Sequence, residues 1–421
     1  MQIEIFYNLF TECDFKFTTD SRSINEGSIF FALKGENFNG NIFAIEAIKK
    51  GASYAVVDEK IEEDNRLILV DDVLTFMQNL ARFHRKCFDI PIIAIGGSNG
   101  KTTTKNLIIS VLKQKYKAHC TQGNFNNHVG VPITLLKIPA DCEVAIIELG
   151  TNSPGEIEAL CKITAPTHGL ITNIGKEHLE GFGSLEAVAK EESEIYHYLL
   201  KNNGVTIVNK DDEWLKRMSR SIENVNYYSK KDVAIQSTVP SIEIILKNNK
   251  IKSLLMGDYN LDNILGAIAI GQELGLTIED IKLGIESYIP ENNRSQWILK
   301  NSNVILLDAY NANPSSMQVA IENFSKMPND KQVLILGDMF EMGEYADKEH
   351  LNLLVWAKNF QFENIYLLGE HFRKVSSHCG LETFPSIEAL GKAIQSKCFQ
   401  DTAILIKGSR GMKMERVLDY L

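Results

Sequence analysis

One stretch limits this chain more than any other. Four apolar residues, Ile92-Ile93-Ala94-Ile95, run into Gly96-Gly97-Ser98-Asn99-Gly100-Lys101-Thr102-Thr103-Thr104, after which Leu107, Ile108, Val111 and Leu112 recur at helical spacing. The pattern predicts a buried strand, a tight glycine turn and a helix with one apolar face. A helix N-terminus presents unpaired N–H groups and the positive end of a dipole, which suits phosphate oxygens. Glycine lets the backbone approach them without a Cβ in the way. Lys101 is placed to reach β- and γ-phosphates, and the Thr102 hydroxyl to ligate Mg²⁺. The strict form of such a loop has glycine six residues before the lysine. Ile95 stands there instead, so this is a variant that keeps the Gly-Lys-Thr core.

The strand belongs to a longer alternation. Apolar runs at 92–95, 144–149, 170–174 and 205–208 are separated by helical stretches, which reads as a parallel sheet covered on both faces. An antiparallel insertion is expected between 225 and 255, with short strands at 242–246 and 254–256. Before this region, residues 1–84 hold a small unit: strands at 29–33 and 54–57 around a helix at 42–50 stopped by Gly51. After it, strands at 304–307, 333–336, 365–368 and 403–406 alternate with helices, one at 316–327, as in a Rossmann-type sheet. The expected architecture is α/β with three domains, 1–84, 85–298 and 299–421. The total of 421 residues allows two to four domains, roughly 150 residues each.

Composition removes other classes. Hydrophobic residues are 44% and charged residues 23%, against disorder or coiled coil for the whole chain. A net charge of −10 argues against a large nucleic-acid surface. No apolar run approaches the roughly 18 residues that span a bilayer, so no membrane insertion is expected. The first basic residue is Lys16, unlike the start of a signal peptide. Seven scattered cysteines without a CxxC pair favour reduced thiols in a cytoplasmic protein.

Candidate site residues sit where strands end. Glu148 closes the run at 144–149, and His178 follows the run at 170–174. At the carboxyl edge of an open α/β sheet, ligands bind in the crevice outside the strand ends. A hard carboxylate suits Mg²⁺; imidazole is less typical for that metal. Taken singly, Glu148 is equally a solvated strand end and His178 a hydrogen-bonded surface residue. Four loops of the third region gather polar chemistry: Asp308-Ala309-Tyr310-Asn311-Ala312-Asn313-Pro314, Gly337-Asp338-Met339, Gly369-Glu370-His371 and Lys407-Gly408-Ser409-Arg410. Each alone is ordinary turn chemistry; all four on one edge make a crevice. Lys407 and Arg410 suit a carboxylate or phosphate.

Together these residues identify a family. The chain resembles the ATP-dependent Mur ligases of peptidoglycan synthesis over nearly its whole length. The resemblance runs through Thr19-Asp20-Ser21-Arg22, the segment 30–40, Gly97 to Thr104, Gly123-Asn124-Phe125-Asn126-Asn127 and Thr172-Asn173-Ile174-Gly175. It continues through His178-Leu179-Glu180-Gly181-Phe182-Gly183-Ser184, Tyr310 to Pro314, Leu336 to Met339 and Lys407 to Arg410. The 310–314 and 407–410 segments look most like the member that joins D-alanyl-D-alanine to UDP-N-acetylmuramoyl-tripeptide. That implies a UDP-binding domain, a central ATP-binding domain and a C-terminal domain that admits the incoming amine.

It also implies residue roles. Gly97, Ser98, Asn99, Gly100, Lys101, Thr102 and Thr103 would hold ATP phosphates and Mg²⁺, with Glu148 and His178 as metal ligands. Asn260 and Asn263 would lie near the adenine, and Arg294, Asp308 and Asn311 would contact the nucleotide. Ser21, Arg22, Asn124, Asn126, Asp338, Lys407, Ser409 and Arg410 would bind substrates.

Two departures stand out. Tyr259 occupies a position that is usually His in the family. Many members carry a lysine carbamylated by CO₂ that presents a carboxylate to a second Mg²⁺; counting from Gly181-Phe182-Gly183-Ser184, that position is Glu192 here. The expectation is that Glu192 supplies the carboxylate directly, with Lys190 as competitor; residues two apart on a helix point about 200° from one another, so only one faces the metal. The expected chemistry is an acyl phosphate formed from ATP, in a monomer whose domains move about hinges near 85 and 298. Competing readings are the ligase adding the third amino acid, whose diaminopimelate form carries an Asp-Asn-Pro-Arg motif absent here, a P-loop ATPase switch, and a non-catalytic binding protein.

Overall fold

The strand Ile92–Gly96 is buried throughout and leads into the helix Lys101–Leu112, whose Leu107, Ile108, Val111 and Leu112 are buried. This is the computed structural model of the chain, and it describes residues 2–61, 63–177, 179–291 and 293–421. Ile92–Gly96 lies in a six-stranded sheet with the order Val225–Tyr228, Val205–Asn209, His168–Ile171, Ile92–Gly96, Val144–Glu148, Ala118–Cys120. The crossovers between its strands carry helices, as a parallel sheet requires.

The chain divides into two compact units. The first comprises Met1–Ala94, Lys117–Gly150 and Glu156–His168. Its own parallel sheet has the order Phe17–Thr18, Ile29–Phe31, Tyr54–Val57, Leu67–Leu69, with Ile29 opposite Tyr54. Sequence periodicity foresaw two of these strands but neither the helix Ile3–Glu12 nor the helix Val73–Lys86. The second of these is capped by Asp72, whose carboxylate accepts the Thr75 N–H at 2.6 Å. Tyr7, Phe10, Phe15 and His84 fill the space between the two helices with edge-on and tilted rings. Tyr7 Oη lies 2.8 Å from His84 Nδ1, and burial pulls that imidazole down to about 4.

Residue 85 is not a loose linker. The buried Arg85 guanidinium donates to the carbonyls of Phe88 (2.8 Å), Thr164 (3.1 Å) and Ala165 (3.1 Å). These acceptors lie at the C-terminal end of the helix Glu156–Thr164 and in the segment leading to Ile92, so the expected hinge position is clamped.

The second unit comprises Ile95–Tyr116, Thr151–Gly155 and Gly169–Leu421. Its antiparallel insertion is a three-stranded sheet, Ala234–Ser237, Glu243–Leu246 and Asn249–Lys252. Two expectations are corrected here. Val225–Tyr228 pairs in parallel with Val205–Asn209, so the insertion begins after it. Residues 254–256 form no strand; Leu255 and Met256 are buried on the way to Gly257, which opens the helix Asp258–Glu273.

The C-terminal sheet has the order Gln296–Lys300, Asn303–Asp308, Ala403–Lys407, Gln332–Gly337, Asn364–Leu368, Glu382–Phe384. All neighbours are parallel except the first pair, Gln296 opposite Leu307. Leu306, Leu334, Leu336, Leu367 and Leu405 form one core, and Ile305, Leu307, Val333, Ile335, Ile404 and Ile406 the other. Successive side chains of a strand face opposite ways, so an unbroken apolar run buries both faces. The strand Gln296–Lys300 escaped prediction because it is an edge strand with polar ends and little burial.

Candidate active site

Within the second unit, the loop 96–100 turns between strand and helix on two left-handed glycines, Gly97 (φ +108°) and Gly100 (φ +83°). A Cβ at Gly97 would sit 2.7 Å from the Thr172 nitrogen, and one at Gly100 would sit 2.6 Å from Asn263 Oδ1. Gly100 is also the N-cap of the helix Lys101–Leu112 and has no side chain to satisfy its N–H groups. The loop backbone is pinned from one side. Ser98 N–H donates to Asn173 O (2.9 Å), Asn99 N–H to Asn173 Oδ1 (3.2 Å), and Gly175 N–H to Ser98 Oγ (2.8 Å).

The Lys101 ammonium folds over the loop. It donates to Gly97 O and Ser98 O and lies 3.6 Å from the Glu177 carboxylate. Thr102 and Thr103 are buried beside it. Sequence reading passed over Glu177, which directly precedes His178. His178 itself lies outside the described residues.

The altered front of the phosphate loop and Glu192 meet. Glu192, fully buried at the end of the helix Leu185–Glu192, accepts the Gly97 N–H on Oε2 at 2.7 Å. A Cβ at Gly96 would come within 2.5 Å of that same oxygen, so the extra glycine makes room for the carboxylate. Burial pushes the Glu192 carboxyl up to about 7, with the Lys101 charge opposing the rise. Lys190 points to solvent, while Glu191 turns inward and accepts the Gly155 N–H at 2.8 Å.

A buried polar chain extends from the loop helix. Thr104 Oγ1 donates to Asn263 Oδ1 (3.0 Å), Asn263 Nδ2 to Asn260 Oδ1 (3.0 Å), and Asn260 Nδ2 to Ser295 Oγ (3.4 Å). Asn260 and Asn263, expected beside an adenine, are thus committed to one another. Tyr259 Oη lies 3.0 Å from Ser295 Oγ, and burial raises its phenol. Ser295 N–H donates to Asp308 Oδ1 (3.1 Å). Asp308 and Lys407 are cross-strand neighbours at the ends of adjacent parallel strands, and Lys407 Nζ lies 2.5 Å from Asp308 Oδ2 and 3.2 Å from Asn311 O.

The other loops of the C-terminal sheet divide into braces and open groups. Asp338, expected to bind substrate, instead accepts the N–H groups of His371 and Phe372, each at 3.0 Å, and caps a short helix; it is buried. Ser409, also expected at the substrate, is buried and accepts the Phe340 N–H at 2.9 Å. Arg294 stacks on Tyr310, with its guanidinium carbon 3.5 Å from the ring centroid. Arg410 is over half exposed, 6.0 Å from the same ring and paired with Glu415 at 3.0 Å. Asn311 is exposed.

In the first unit, Glu148 is buried at the end of its strand and accepts Asn126 Nδ2 at 3.0 Å. Asn124 is exposed, and its carbonyl accepts the Asn126 N–H at 2.8 Å. Arg22 is open to solvent and forks onto Asp20, whose carboxyl it holds down at about 2; Ser21 lies between them, its carbonyl accepting Lys50 Nζ at 3.2 Å.

A glycine-bounded phosphate loop feeding a parallel sheet, followed by a Rossmann-like sheet with cationic loop residues, defines a nucleotide-using α/β enzyme. Residues 17–85 match the domain described as Mur ligase family, catalytic domain, residues 95–271 the Mur ligase middle domain, and residues 293–410 the Mur ligase, glutamate ligase domain. The chain belongs to the Mur ligase family. It is 33% identical to the UDP-N-acetylmuramoyl-tripeptide–D-alanyl-D-alanine ligase of Bacillus subtilis, over 96% of this chain and 92% of that one. It is 32% identical to the ligase of the same name from Escherichia coli, over 96% and 93%. Among solved structures, MurF from Acinetobacter baumannii superposes with a TM-score of 0.88 at 30% identity, covering 96% of this chain and 92% of that one. MurF from Thermotoga maritima in complex with ADP gives 0.85 at 26% identity, covering 96% of each.

Proposed function

We propose that this chain is an ATP-dependent ligase that joins D-alanyl-D-alanine to UDP-N-acetylmuramoyl-tripeptide in peptidoglycan synthesis, releasing ADP and phosphate. One observation carries the reading: the Lys101 ammonium lies over the carbonyls of a glycine loop at a helix N-terminus, in a chain similar to ligases of that name over 96% of its length. The domain division that goes with it is 1–84 for the UDP-sugar, 85–298 for ATP and 299–421 for the incoming dipeptide. The enzyme acts in the cytoplasm as a monomer; no helix among the described residues is long and apolar enough to cross a membrane.

The chemistry must make a carboxylate electrophilic in water. Transfer of the γ-phosphoryl group to the tripeptide's terminal carboxylate gives an acyl phosphate and ADP. The dipeptide amine then attacks the acyl carbon, and the tetrahedral intermediate expels phosphate to leave an amide. An α-amine has a pKa near ~8, so a useful fraction is neutral without a strong base. Gly97, Ser98 and Asn99 shape the loop, their N–H groups spent on Glu192 and Asn173. Residues 100–103 at the helix N-terminus hold the phosphates through the Lys101 charge, the threonine hydroxyls and the helix end, work that is mainly positioning and electrostatics. Arg294 and Asn311 meet the nucleotide. Asp308 fixes Lys407, and Lys407 and Arg410 present positive charge to the substrates. Asp338 and Ser409 hold the loops that carry them, Asn124 and Asn126 orient the substrate arm, and Ser21 and Arg22 engage the UDP-sugar.

Mg²⁺ fits the donors available. Within the second unit, Thr102 and Glu192 offer hard oxygens, and Glu192 Oε1 is buried with no hydrogen-bond partner among the described residues. When bound, the ion supplies charge neutralisation on the transferring phosphoryl group. Because Glu192 carries its own carboxylate, activity is expected to survive removal of bicarbonate. A Lys190→Ala enzyme that loses activity and recovers it with short carboxylates would refute that assignment.

The test is phosphate release with each substrate omitted in turn. Release that needs both UDP-N-acetylmuramoyl-tripeptide and D-alanyl-D-alanine, with ¹⁸O moving from the tripeptide acid into phosphate, is the expected result. Release from ATP alone would favour the switch and overturn the reading.

A further inference from the structure

Asn313 uses both ends of its amide. Its Oδ1 accepts the Ser316 N–H at 2.8 Å and caps the helix Pro314–Ser325. Its Nδ2 donates to Asn99 Oδ1 at 2.9 Å, in the middle of the phosphate loop. Asn99 is gripped in turn by Asn173, which accepts its N–H (3.2 Å) and donates Nδ2 to its carbonyl (2.8 Å). One residue beyond the helix start, Ser315 Oγ accepts the Lys176 N–H at 3.0 Å, and the Lys176 ammonium reaches Glu349 at 3.1 Å. Three segments, 97–100, 173–176 and 313–316, therefore share one hydrogen-bonded seam within the second unit.

Capping needs only the oxygen of Asn313; Ser or Thr caps comparably well. The Nδ2 group is needed only for the reach to Asn99. The segment 308–313 is short, and its far end is Asp308, the partner of Lys407. A fixed Asn313 therefore sets where the Asp308–Lys407 pair stands relative to the phosphate loop.

We propose that Asn313 is a positioning residue for the ligation: its amide bond to Asn99 registers the 308–313 loop, and with it Lys407, against the nucleotide phosphates. This deepens the functional reading above and rests on it. Misplacing reacting groups by about 1 Å costs up to about a hundredfold in rate, so a registering contact acts on kcat.

The experiment uses the full chain. Asn313→Ser keeps the cap oxygen and is too short to reach Asn99; Asn313→Thr is a second variant of the same kind. Wild type is assayed first, because absence of amine-dependent phosphate release there refutes the functional reading rather than this one. The expected result for Asn313→Ser is a kcat lower by about tenfold, the loss of one hydrogen bond of ordinary strength, with ADP affinity and Tm unchanged. Combined with Asn99→Ala, it is expected to add nothing to the loss from Asn99→Ala alone. Wild-type kcat in Asn313→Ser, or losses that add in full, overturns the proposal. So does failure of both Asn313 variants to fold, since both keep the cap oxygen and the bond to Asn99 would then hold the fold together rather than register the reacting groups.

Discussion

Glu192 offers the sharpest test of how this site is built. Its carboxyl sits at zero exposure behind the phosphate loop, and burial lifts it from an ordinary 4.5 to about 7 despite the opposing Lys101 charge. A group whose folded value is raised contributes stability that is fully present below the unfolded value and is lost as pH climbs through the folded value. Here that window runs from 4.5 to about 7. At about 1.4 kcal/mol per pH unit, ionised Glu192 costs the nucleotide-free protein about 3 kcal/mol above that window.

Glu192→Gln removes the charge and keeps an oxygen for the Gly97 N–H. The variant is expected to gain about 3 kcal/mol over wild type at about pH 8 and nothing near the lower end of the window. Urea unfolding of the nucleotide-free protein across this range measures it, through the midpoint at constant slope. A gain of the same size at every pH, or a loss that grows with pH, would mean that Glu192 is already charged and paired inside the fold, and the reasoning would fail. The same variant should be slower as a ligase if, as proposed, the carboxylate that costs stability is the one that meets the metal.

Three other outcomes follow from the geometry. Lys101→Met should lower amine-dependent phosphate release by about a hundredfold or more, because it removes the only side-chain cation of the loop; a variant keeping most of its rate would rule out Lys101 as the phosphate-holding charge. Lys407→Met leaves Asp308 without its cation, so the urea midpoint should fall by the equivalent of about 3 kcal/mol, and adding Asp308→Asn should restore part of it. Arg85→Ala strips donors from three carbonyls and should lower Tm and expose the 86–91 segment to proteolysis, at about 1 kcal/mol for each hydrogen bond lost; unchanged Tm would mean that the clamp contributes nothing.

The phosphate loop could be read in advance because its chemistry is contiguous: strand, glycines, lysine, threonine and apolar helix face all lie within 92–112. The parallel strands could be read because burial on both faces demands unbroken apolar runs. What escaped was amphipathic or marginal. The helix Val73–Lys86 ends in His84-Arg85-Lys86, which look like surface charges until the first two are seen buried. The strand Gln296–Lys300 carries too little apolar surface to announce itself. Among site residues, Asp338 and Ser409 have the right chemistry for a ligand, yet their oxygens serve backbone N–H groups. Glu177 was passed over, and Asn313 was read only as part of its loop, because single polar residues in loops carry no periodic signal.

Local order settled what each segment is: where phosphate can bind, which strands are interior, and which unusual residues, Gly96, Glu192 and Tyr259, set this chain apart. Only the folded chain decided what those residues touch. Gly96 and Glu192 lie nearly a hundred positions apart, and a carboxylate with a missing Cβ opposite it has meaning only when the two are in contact. The same holds for Asn99 and Asn313, joined by a single amide hydrogen bond. A hydrogen bond acts over about 3 Å, whereas sequence spacing says nothing about distance beyond a turn or two of helix.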